Sequence, residues 1–332
     1  MTDLVSVARS LAAPGKGILA ADESVNSATK RLSDFGIPAG EEMRRQFRDL
    51  FLNAPGMEEY LSGVILFSET MLQKGNDGML FPDSLSARGV LPGIKVDGGT
   101  EPIVPESKEL ITQGLLDLSD RLVQYKYQGG IFTKWRAVIT IEGDELPSSA
   151  AILENMKRLA QYARLVQTAG MVPMLEPEVL YSGKHSRKRA RAVLKETLGT
   201  LFSVLDEQSV DNTSIILKTA MALSGKDGGR HDSPEEVATD TVEVLMENVP
   251  SSVAAIVFLS GGQTPDQATD NLRAIARKAR ELHAPWSMTF SYARALQEEA
   301  LALWKGKEEN VDAARRAFLS RLGKVSLAAQ GL

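Results

Sequence analysis

The sequence predicts an α/β fold, a (β/α)8 TIM barrel with extra N- and C-terminal helices. Eight short apolar segments recur along the chain, long amphipathic segments separate most of them, and charged residues collect at the ends of the apolar segments. A length of 332 residues fits one large barrel with additions, and no low-complexity linker divides the chain. We therefore expect residues 1–332 to form a single TIM-barrel domain.

The predicted strands are short aliphatic runs without polar alternation, which is typical of a parallel sheet buried on both faces. In chain order they are 17–24, 63–69, 91–97, 132–141, 171–179, 214–221, 252–260 and 284–292. The helical segments between them are rich in Leu, Ala, Glu, Lys and Arg, and they include 106–128, 148–169, 186–208, 233–247 and 264–282. A helix at 4–12 precedes the first strand, and 301–332 predicts one or two terminal helices packed on the barrel.

A doubly wound sheet that binds a dinucleotide is the competing architecture. Residues 15–20, GKGILA, match the G-x-G-x-x-A pattern as text. That pattern should close a strand and open a helix, whereas here it follows a helix and Pro14 and leads into the first strand. The sequence also lacks the G-x-x-x-x-G-K-[ST] pattern of a P-loop. Nucleotide binding therefore has no support.

Composition disfavours several classes of function. The formal net charge is −5, from 43 acidic and 38 basic residues spread along the chain, so no basic footprint for nucleic acid is expected. The absence of cysteine excludes disulfides and thiolate chemistry, and His185, His231 and His283 lack the spacing of a metal site. The first residues carry Asp3 and have no signal-peptide pattern, and no segment reaches membrane length. We expect a cytoplasmic protein without metal, cofactor, membrane or nucleic-acid partners.

Polar residues gather at the C-terminal ends of the predicted strands, where a barrel of this type places its active site. They are Asp22, Glu23 and Ser24 after the first strand, Lys95 and Asp97 after the third, Lys134 and Arg136 on the fourth, Glu176 and Glu178 in the fifth, Lys218 in the sixth, Ser260, Gly261 and Gly262 after the seventh, and Ser291 in the eighth. Alternation along a strand places Lys134 and Arg136 on one face. We expect that face to be the barrel lumen.

Lys218 is the single charge in SIILKTAMAL, residues 214–223, a segment predicted to be buried. A lysine kept neutral by apolar or cationic surroundings attacks a ketone and forms a Schiff base. Lys134 across the lumen would favour the neutral amine, and Glu176 would move the protons that carbinolamine dehydration needs. An internal salt-bridge network is the alternative interpretation of the same charges.

The segment FLSGGQ, residues 258–263, predicts an anion site, because it presents two glycine amides directly after the seventh strand. Arg294, just past the eighth strand, adds a charge-assisted contact. A Ser-Gly-Gly sequence by itself is typical of an ordinary turn, so this prediction depends on its position in the barrel.

With these residues in place, the sequence closely resembles the class I fructose-1,6-bisphosphate aldolases, the metal-free family that works through a lysine Schiff base. The resemblance runs from about residue 15 to about residue 300. Its blocks, in family order, are GKGILAADES, KRL at 30–32, GVILFSET, LPGIKVDGG, FTKWR, VPMLEPE, LKTAM, FLSGGQ and TFSYARALQ. The resemblance implies a phosphorylated sugar as substrate and a homo-tetramer. It also implies reversible C3–C4 cleavage of fructose 1,6-bisphosphate to dihydroxyacetone phosphate and glyceraldehyde 3-phosphate, in glycolysis or gluconeogenesis.

The resemblance also implies a role for each site residue. Lys218 would form the Schiff base, Glu176 would be the general acid and base with Glu178 in support, Asp22 would take the proton of the C4 hydroxyl, and Lys134 would stabilise charge. The C1 phosphate would bind at Ser260, Gly261, Gly262, Ser291 and Arg294. The C6 phosphate and sugar hydroxyls would contact Ser24, Ser27, Arg31, Lys95 and Arg136, with Arg44 reaching the same end.

The sequence departs from the family pattern in places. NTSIILKTAM keeps the lysine and the methionine but not the usual flanking residues, and Ala293 stands where a glycine is usual, which alters a backbone contact to the C1 phosphate. The printed sequence ends in SLAAQGL, without the family's terminal tyrosine. We therefore expect slower protonation of the enamine, or protonation by another group such as Glu178 or the substrate phosphate.

Two other functions stay open on the sequence. A related barrel aldolase acting on sedoheptulose 1,7-bisphosphate or tagatose 1,6-bisphosphate would share these motifs, because loop details set chain length and stereochemistry. An aldolase-like scaffold protein is the non-enzymatic alternative. The complete set of Asp22, Lys134, Glu176 and Lys218 disfavours a scaffold, which needs none of them.

Overall fold

The computed structural model describes residues 3–332, and its central feature is a closed barrel of eight parallel strands. The strands are β1 (Gly17–Ala21), β2 (Leu61–Leu66), β3 (Leu91–Lys95), β4 (Phe132–Ile139), β5 (Val172–Val179), β6 (Ile216–Thr219), β7 (Ala255–Phe258) and β8 (Ser287–Tyr292). Neighbouring strands follow the chain order, and β1 pairs with β8 to close the sheet. The predicted (β/α)8 TIM barrel is confirmed.

Helices follow the strands and cover the outside of the barrel. They are α1 (Leu4–Ser10), α2 (Val25–Asp34), α3 (Glu41–Leu52), α4 (Ser68–Met71), α5 (Phe81–Ala87), α6 (Leu118–Tyr127), α7 (Ser149–Thr168), α8 (Arg187–Glu207), α9 (Pro234–Asn248), α10 (Pro265–Glu281), α11 (Arg294–Trp304) and α12 (Val311–Ala329). The first helix and the last two supply the expected extra N- and C-terminal helices. Between residues 3 and 332, no helix combines the length and the apolar character that crossing a bilayer requires.

Hydroxyl side chains begin the long helices that follow β4 to β7. Ser148, Ser186, Ser233 and Thr264 each accept a hydrogen bond from the backbone N–H three residues further on. At α9, Glu236 also bonds back to the Ser233 backbone, which completes a capping box. These caps fix the points at which the loops on the C-terminal face of the barrel turn into helices.

The ends of the predicted strands differ from the observed ends by up to three residues, and one predicted helix is wrong in part. The predicted strand 63–69 begins earlier and ends at Leu66, because Ser68 already opens α4. The predicted helix 106–128 is wrong in its first half, where Thr100–Pro102 and Leu110–Thr112 form an antiparallel hairpin. Gly114, whose φ is +117°, interrupts a helix that composition alone favours, so the helix begins only at Leu118.

The N-terminal end of the barrel interior is apolar, and we call it the lower lumen. It consists of Ile18, Ile65, Phe132, Val172, Met174, Ile216 and Val257. Helix α1 closes it from below, with Ala8 and Leu11 in the same buried cluster. The fit is close: a Cβ on Gly93 would lie 2.3 Å from the Phe132 ring, so only glycine leaves room for that ring. The lower lumen is therefore a packed core, and any ligand must enter from the other end.

Candidate active site

A cavity of about 640 Å³ opens at the C-terminal ends of the strands, above the lower lumen. Most of the predicted site residues line it: Asp22, Ser24, Ser27, Lys95, Lys134, Arg136, Glu176, Glu178, Lys218, Ser260, Gly261, Ser291 and Arg294. Arg31, Arg44 and Gly262 do not. Glu23 and Asp97 also line the cavity, although no role was predicted for them. Their position at strand ends in the sequence is the signal that marks them.

The period of two along each strand explains why charged residues meet here. On β4, Phe132 belongs to the lower lumen, while Lys134 and Arg136 line the cavity above it. On β5, Met174 is followed in the same way by Glu176. On β6, Ile216 is followed by Lys218. One face of each strand is thus apolar at its start and charged at its end.

Three buried side chains and the half-buried Asp22 form a continuous ion-pair chain at the floor of the cavity, which we call the upper lumen. Lys218 Nζ lies 3.1 Å from Glu176 Oε1, and Glu176 Oε2 lies 2.7 Å from Lys134 Nζ. Lys134 Nζ in turn donates to Asp22 Oδ2 at 3.0 Å. Positive and negative groups alternate along the chain, so each charge has an opposite neighbour in a region that water hardly reaches.

The ion-pair chain sets the protonation states of its members. Burial alone raises the pKa of Asp22, but Lys134 and Lys218 outweigh it and lower the pKa from 3.8 to about 2. Burial is likewise the largest single influence on Glu176, yet Lys134, Lys218 and Arg136 together lower its pKa. For Lys134, the carboxylates of Asp22 and Glu176 overcome burial and raise the pKa. Both carboxylates are therefore ionised at neutral pH, and Lys134 is an ammonium.

The surroundings of Lys218 differ from the expectation of a lysine kept neutral by an apolar or cationic setting. Its nearest charged neighbour is the ionised carboxylate of Glu176. Glu176 Oε1 is thus the basic group within reach of Lys218 Nζ, at 3.1 Å. This arrangement is also the salt-bridge network that the sequence left as an alternative.

A second group of charges lies higher in the cavity. Arg136 Nε forms an ion pair with Glu178 Oε2, and Lys95 Nζ forms one with Asp97 Oδ1. The Arg136 backbone N–H donates to Asp97 Oδ2 at 3.3 Å, which links the two pairs. Burial alone lowers the pKa of Arg136, but Glu178 and Glu176 outweigh it and raise the pKa. Arg136 and Lys95 thus lie together on the side of the cavity away from β7 and β8.

The loop after β7 and the start of α11 form a polar pocket on the opposite side. Gly261 and Gly262 have φ angles of +59° and +101°, and their N–H groups donate no hydrogen bond to any residue in the range 3–332. Within the same range, the buried hydroxyl of Ser291 has no partner. Arg294 opens α11, so the positive end of that helix faces the same space. Unsatisfied donors and positive charge together suit an anion.

Arg31 and Arg44 are already engaged by carboxylates. Arg31 Nη1 lies 2.8 Å from Glu23 Oε1, and the other oxygen of Glu23 pairs with Arg48. Arg44 makes a bidentate contact with Glu69, with distances of 2.6 Å and 3.0 Å. The predicted contacts of Arg31 and Arg44 with a phosphate therefore require exchange of partners and stay predictions.

Comparison with known proteins agrees with this geometry. The family model described as fructose-bisphosphate aldolase class-I matches residues 3–332. The chain belongs to the class-I fructose-bisphosphate aldolase family. A probable class 1 fructose-bisphosphate aldolase from Xanthomonas axonopodis pv. citri (strain 306) is 44% identical over 99% of this chain and 97% of that protein. Cytosolic fructose-bisphosphate aldolase 4 from Arabidopsis thaliana is 45% identical over 96% of this chain and 80% of that protein.

A solved structure of an aldolase family member has the same fold. Fructose-bisphosphate aldolase from Plasmodium falciparum, in complex with TRAP and a small-molecule inhibitor, superposes with a TM-score of 0.95. It is 38% identical and is matched over 99% of this chain and 94% of that one. The predicted family, barrel and aldolase activity, that of a carbon–carbon lyase, are thereby confirmed. The roles of individual site residues stay predictions.

Proposed function

We propose that this aldolase cleaves fructose 1,6-bisphosphate reversibly between C3 and C4 through a Schiff base on Lys218. The products are dihydroxyacetone phosphate and glyceraldehyde 3-phosphate. The observation that carries this proposal is the ion-pair chain Lys218–Glu176–Lys134–Asp22 at the floor of a cavity that also presents hydrogen-bond donors without a partner among residues 3–332. A lysine, an acid–base group and a base, held together under a phosphate site, are what an imine-forming aldolase needs.

The first step makes and uses the amine of Lys218. Glu176 accepts a proton from the Lys218 ammonium across 3.1 Å, and the free amine then attacks the C2 carbonyl of the ketose. The carbonyl oxygen gains a proton as the attacking nitrogen loses one, so the product is a neutral carbinolamine and Glu176 still holds the proton that came from Lys218. Protonation of its hydroxyl releases water and leaves an iminium cation. Glu176 supplies this proton and becomes a carboxylate again, and Lys134, 2.7 Å from Glu176 Oε2, stabilises that ionised form before and after the two transfers.

The second step breaks the carbon–carbon bond. Asp22, ionised because its pKa is lowered to about 2, accepts the C4 hydroxyl proton as the C3–C4 bond breaks. The bonding electron pair moves to C3 and into the iminium, which becomes a neutral enamine, and the C4 oxygen becomes the aldehyde of glyceraldehyde 3-phosphate. Proton addition at C3 regenerates the iminium, and water then releases dihydroxyacetone phosphate and the amine of Lys218.

The two phosphates have separate binding sites in this proposal. The C1 phosphate takes the free N–H groups of Gly261 and Gly262, the Ser291 hydroxyl and the Arg294 guanidinium. The C6 phosphate binds across the cavity, near the N-terminus of α2 and the cations Lys95 and Arg136. The α2 end contributes the hydroxyls of Ser24 and Ser27, and Arg31 and Arg44 join after leaving Glu23 and Glu69.

A substrate panel combined with trapping tests the proposed function. Cleavage is measured with fructose 1,6-bisphosphate, sedoheptulose 1,7-bisphosphate and tagatose 1,6-bisphosphate, and we expect the first to have the highest kcat/KM. Borohydride is then added with and without dihydroxyacetone phosphate, and only the sample with ligand should lose activity permanently. Equal cleavage of tagatose 1,6-bisphosphate would contradict the substrate assignment. Activity that survives reduction would contradict the Schiff base.

A homo-tetramer is proposed on the family resemblance, together with apolar surface at α6. Leu116, just before that helix, and Val123 and Tyr127 on it are largely exposed, and their spacing places the two helical residues on one face. Size-exclusion chromatography with light scattering should give four times the chain mass of 36.0 kDa. A single-chain mass would contradict this proposal.

The cytosolic relative supports a cytoplasmic location, which fractionation of the source cells would test.

The assignment of residues 1–332 to one domain is a proposal too. Closure of the sheet by β1 and β8 supports it, as does the packing of α12 against α3 and α10. A single cooperative unfolding transition, seen alike by circular dichroism and by tryptophan fluorescence, is expected. Two separate transitions would contradict it.

A further inference from the structure

The loop that holds Gly261 and Gly262 is hydrogen-bonded from behind by the side chain of Gln263. Gln263 is buried and does not line the large cavity. Its side-chain Nε2 donates to the Ser260 carbonyl at 3.0 Å, and its backbone N–H donates to the same carbonyl at 2.9 Å. Nε2 also lies 3.6 Å from the sulfur of Met221, three residues after Lys218. Gln263 therefore joins the loop after β7 to the segment after β6.

The clamp on the Ser260 carbonyl determines where the next N–H points. The peptide bond between Ser260 and Gly261 is trans, so its carbonyl oxygen and its N–H lie on opposite sides of one plane. The carbonyl is turned toward Gln263, away from the large cavity. The Gly261 N–H must then point the other way, toward the space that Gly261 lines. Without the Gln263 amide, only the backbone N–H of Gln263 holds this carbonyl, and the peptide plane rotates more freely, because Gly261 offers little steric resistance.

Asn271 decides which end of the Gln263 amide faces the loop. Asn271 lies on α10, is 2% exposed, and donates from Nδ2 to Gln263 Oε1 at 2.6 Å. Because Asn271 Nδ2 is a donor, it can pair only with the oxygen of the Gln263 amide. The amide nitrogen Nε2 is then left to donate to Ser260. A reversed amide would set two nitrogens against each other on one side and two oxygens on the other.

Packing alone does not hold the loop. A small internal cavity lies behind Ser260 and Gly261, with Tyr181, His185 and Gln263 in its wall. Its volume of about 10 Å³ is room for about one water molecule. The back of the loop therefore meets a gap on one side and the Gln263 amide on the other, so hydrogen bonds have to supply the rigidity.

We propose that Asn271 is a positioning residue for the C1-phosphate site, acting through Gln263 on the Gly261 N–H. The inference rests on the proposed function, since it takes the loop after β7 as the site of that phosphate. Asn271 itself touches neither the large cavity nor a reacting group. Its substitution should weaken binding of ligands that place a phosphate in this loop and leave the chemistry at Lys218 unchanged.

The test compares ligands that bind different halves of the site. Dihydroxyacetone phosphate carries only the phosphate for this loop, and glyceraldehyde 3-phosphate carries only the other one. In Asn271→Leu, the inhibition constant for dihydroxyacetone phosphate should rise roughly tenfold, as expected for loss of one hydrogen bond to a charged group. The constant for glyceraldehyde 3-phosphate should stay unchanged. KM for fructose 1,6-bisphosphate should rise more than kcat falls.

Further variants separate positioning from folding. Gln263→Met should give the same split between the two inhibitors, and adding Asn271→Leu to it should have no further effect, because both act through one amide. Asn271→Asp removes the donor and turns Gln263 Nε2 toward the new carboxylate, so it should also weaken the binding of dihydroxyacetone phosphate. Asn155→Leu is the matched control: Asn155 is equally buried on a helix, but its amide donates to the Leu110 carbonyl at 2.8 Å, and its loss should leave the constant unchanged.

Phosphate-free dihydroxyacetone distinguishes this inference from the proposed function. Borohydride should trap it on Lys218 at the same rate in the wild-type protein and in Asn271→Leu. No trapping in the wild-type protein would overturn the proposed function. Normal trapping with an unchanged dihydroxyacetone phosphate constant in both Asn271→Leu and Gln263→Met would overturn the role of Asn271. Equal weakening of both inhibitors would do the same, because it would indicate general damage to the site.

Discussion

The lower and upper lumen are built from the same strands and have opposite character. Phe132, Met174 and Ile216 fill the lower lumen with apolar atoms in close contact. Two residues further along the same strands, Lys134, Glu176 and Lys218 carry full charges in a space almost as well shielded from water. Stability comes from the lower lumen, where burial is favourable. The upper lumen gains little stability, because the pairing of its charges mainly offsets the cost of removing them from water.

This contrast explains why one fold serves both purposes. A packed apolar layer holds the strand ends at fixed distances, so four charged groups keep their separations of about 3 Å before any substrate arrives. Burial of apolar side chains in the lower lumen offsets the unfavourable free energy of burying charges above it. Substitutions that place a charge in the lower lumen, or remove a charged residue from the upper lumen, test this division.

Loss of the nucleophile should have the largest effect. Lys218→Met keeps an unbranched side chain but removes the amine, and we expect a loss of cleavage of at least about 10⁴-fold, since no imine forms. A coupled assay for glyceraldehyde 3-phosphate measures it. Lys195→Met, at an exposed ion pair on α8, is the matched control and should keep full activity. Residual cleavage within tenfold of the wild type would contradict the assignment.

Neutralising the carboxylate of Glu176 should cause the second-largest loss of activity. Glu176→Gln leaves Lys218 and Lys134 without the anion between them and removes the proton carrier, so kcat should fall by about 10² to 10⁴-fold. Steady-state kinetics give the result. Glu178→Gln, whose partner is Arg136 higher in the cavity, should reduce kcat less. The reverse order of the two variants would contradict the central position of Glu176.

Placing a charge in the lower lumen should lower the stability of the protein. The loss measures the cost of an unpaired buried charge, which the ion pairs of the upper lumen offset. Met174→Glu puts an unpaired carboxylate below Glu176, and the free energy of unfolding should fall by about 3–5 kcal/mol. Denaturant unfolding measures it. Met174→Leu keeps the volume nearly constant and should cost less than about 1.5 kcal/mol. Equal stability of the two variants would show that the lower lumen tolerates charge.

The smallest expected effect is the pH dependence of stability at Asp22. The ion-pair chain lowers the pKa of Asp22 from its ordinary value of 3.8 to about 2 in the folded protein. The carboxylate therefore stabilises the fold at pH values above 3.8, and this stabilisation is lost as the pH falls toward 2. The shift corresponds to about 2 kcal/mol. The stability difference between wild type and Asp22→Asn should therefore narrow by that amount between pH 5 and pH 2. Lys134 does not change charge in this window, since its pKa is raised. A constant difference would mean that Asp22 is not held in the ion-pair chain.

Much of this architecture is predictable from the sequence because it depends on local periodicity. Alternation along β4 and β5 places Lys134 and Glu176 on one face, and the order of aliphatic runs and helices predicts the barrel. The partners of long side chains are not predictable in the same way. Arg44 on α3 binds Glu69 on α4, 25 residues away. Arg31 on α2 shares Glu23 with Arg48 on α3, because these two helices pack together.

The hairpin at 100–112 shows the other limit of the sequence. Its residues favour a helix by composition, but Thr112 donates from Oγ1 to the Arg136 carbonyl at 2.8 Å, and Asn155 on α7 donates to the Leu110 carbonyl. These contacts join segments far apart in the chain, so tertiary hydrogen bonding overrides the local preference. The contact between Lys218 and Glu176 also joins two strands, and the sequence predicted both residues but not the 3.1 Å that separates them.

Identification of the lysine that forms the imine tests the central claim most directly, because two lysines lie on either side of Glu176. The protein is reduced with borohydride in the presence of dihydroxyacetone phosphate, digested, and mapped by mass spectrometry. We predict an adduct on the Lys218 peptide, absent without ligand, and an unmodified Lys134 peptide. An adduct on Lys134, or none on either lysine in an active preparation, would contradict the account.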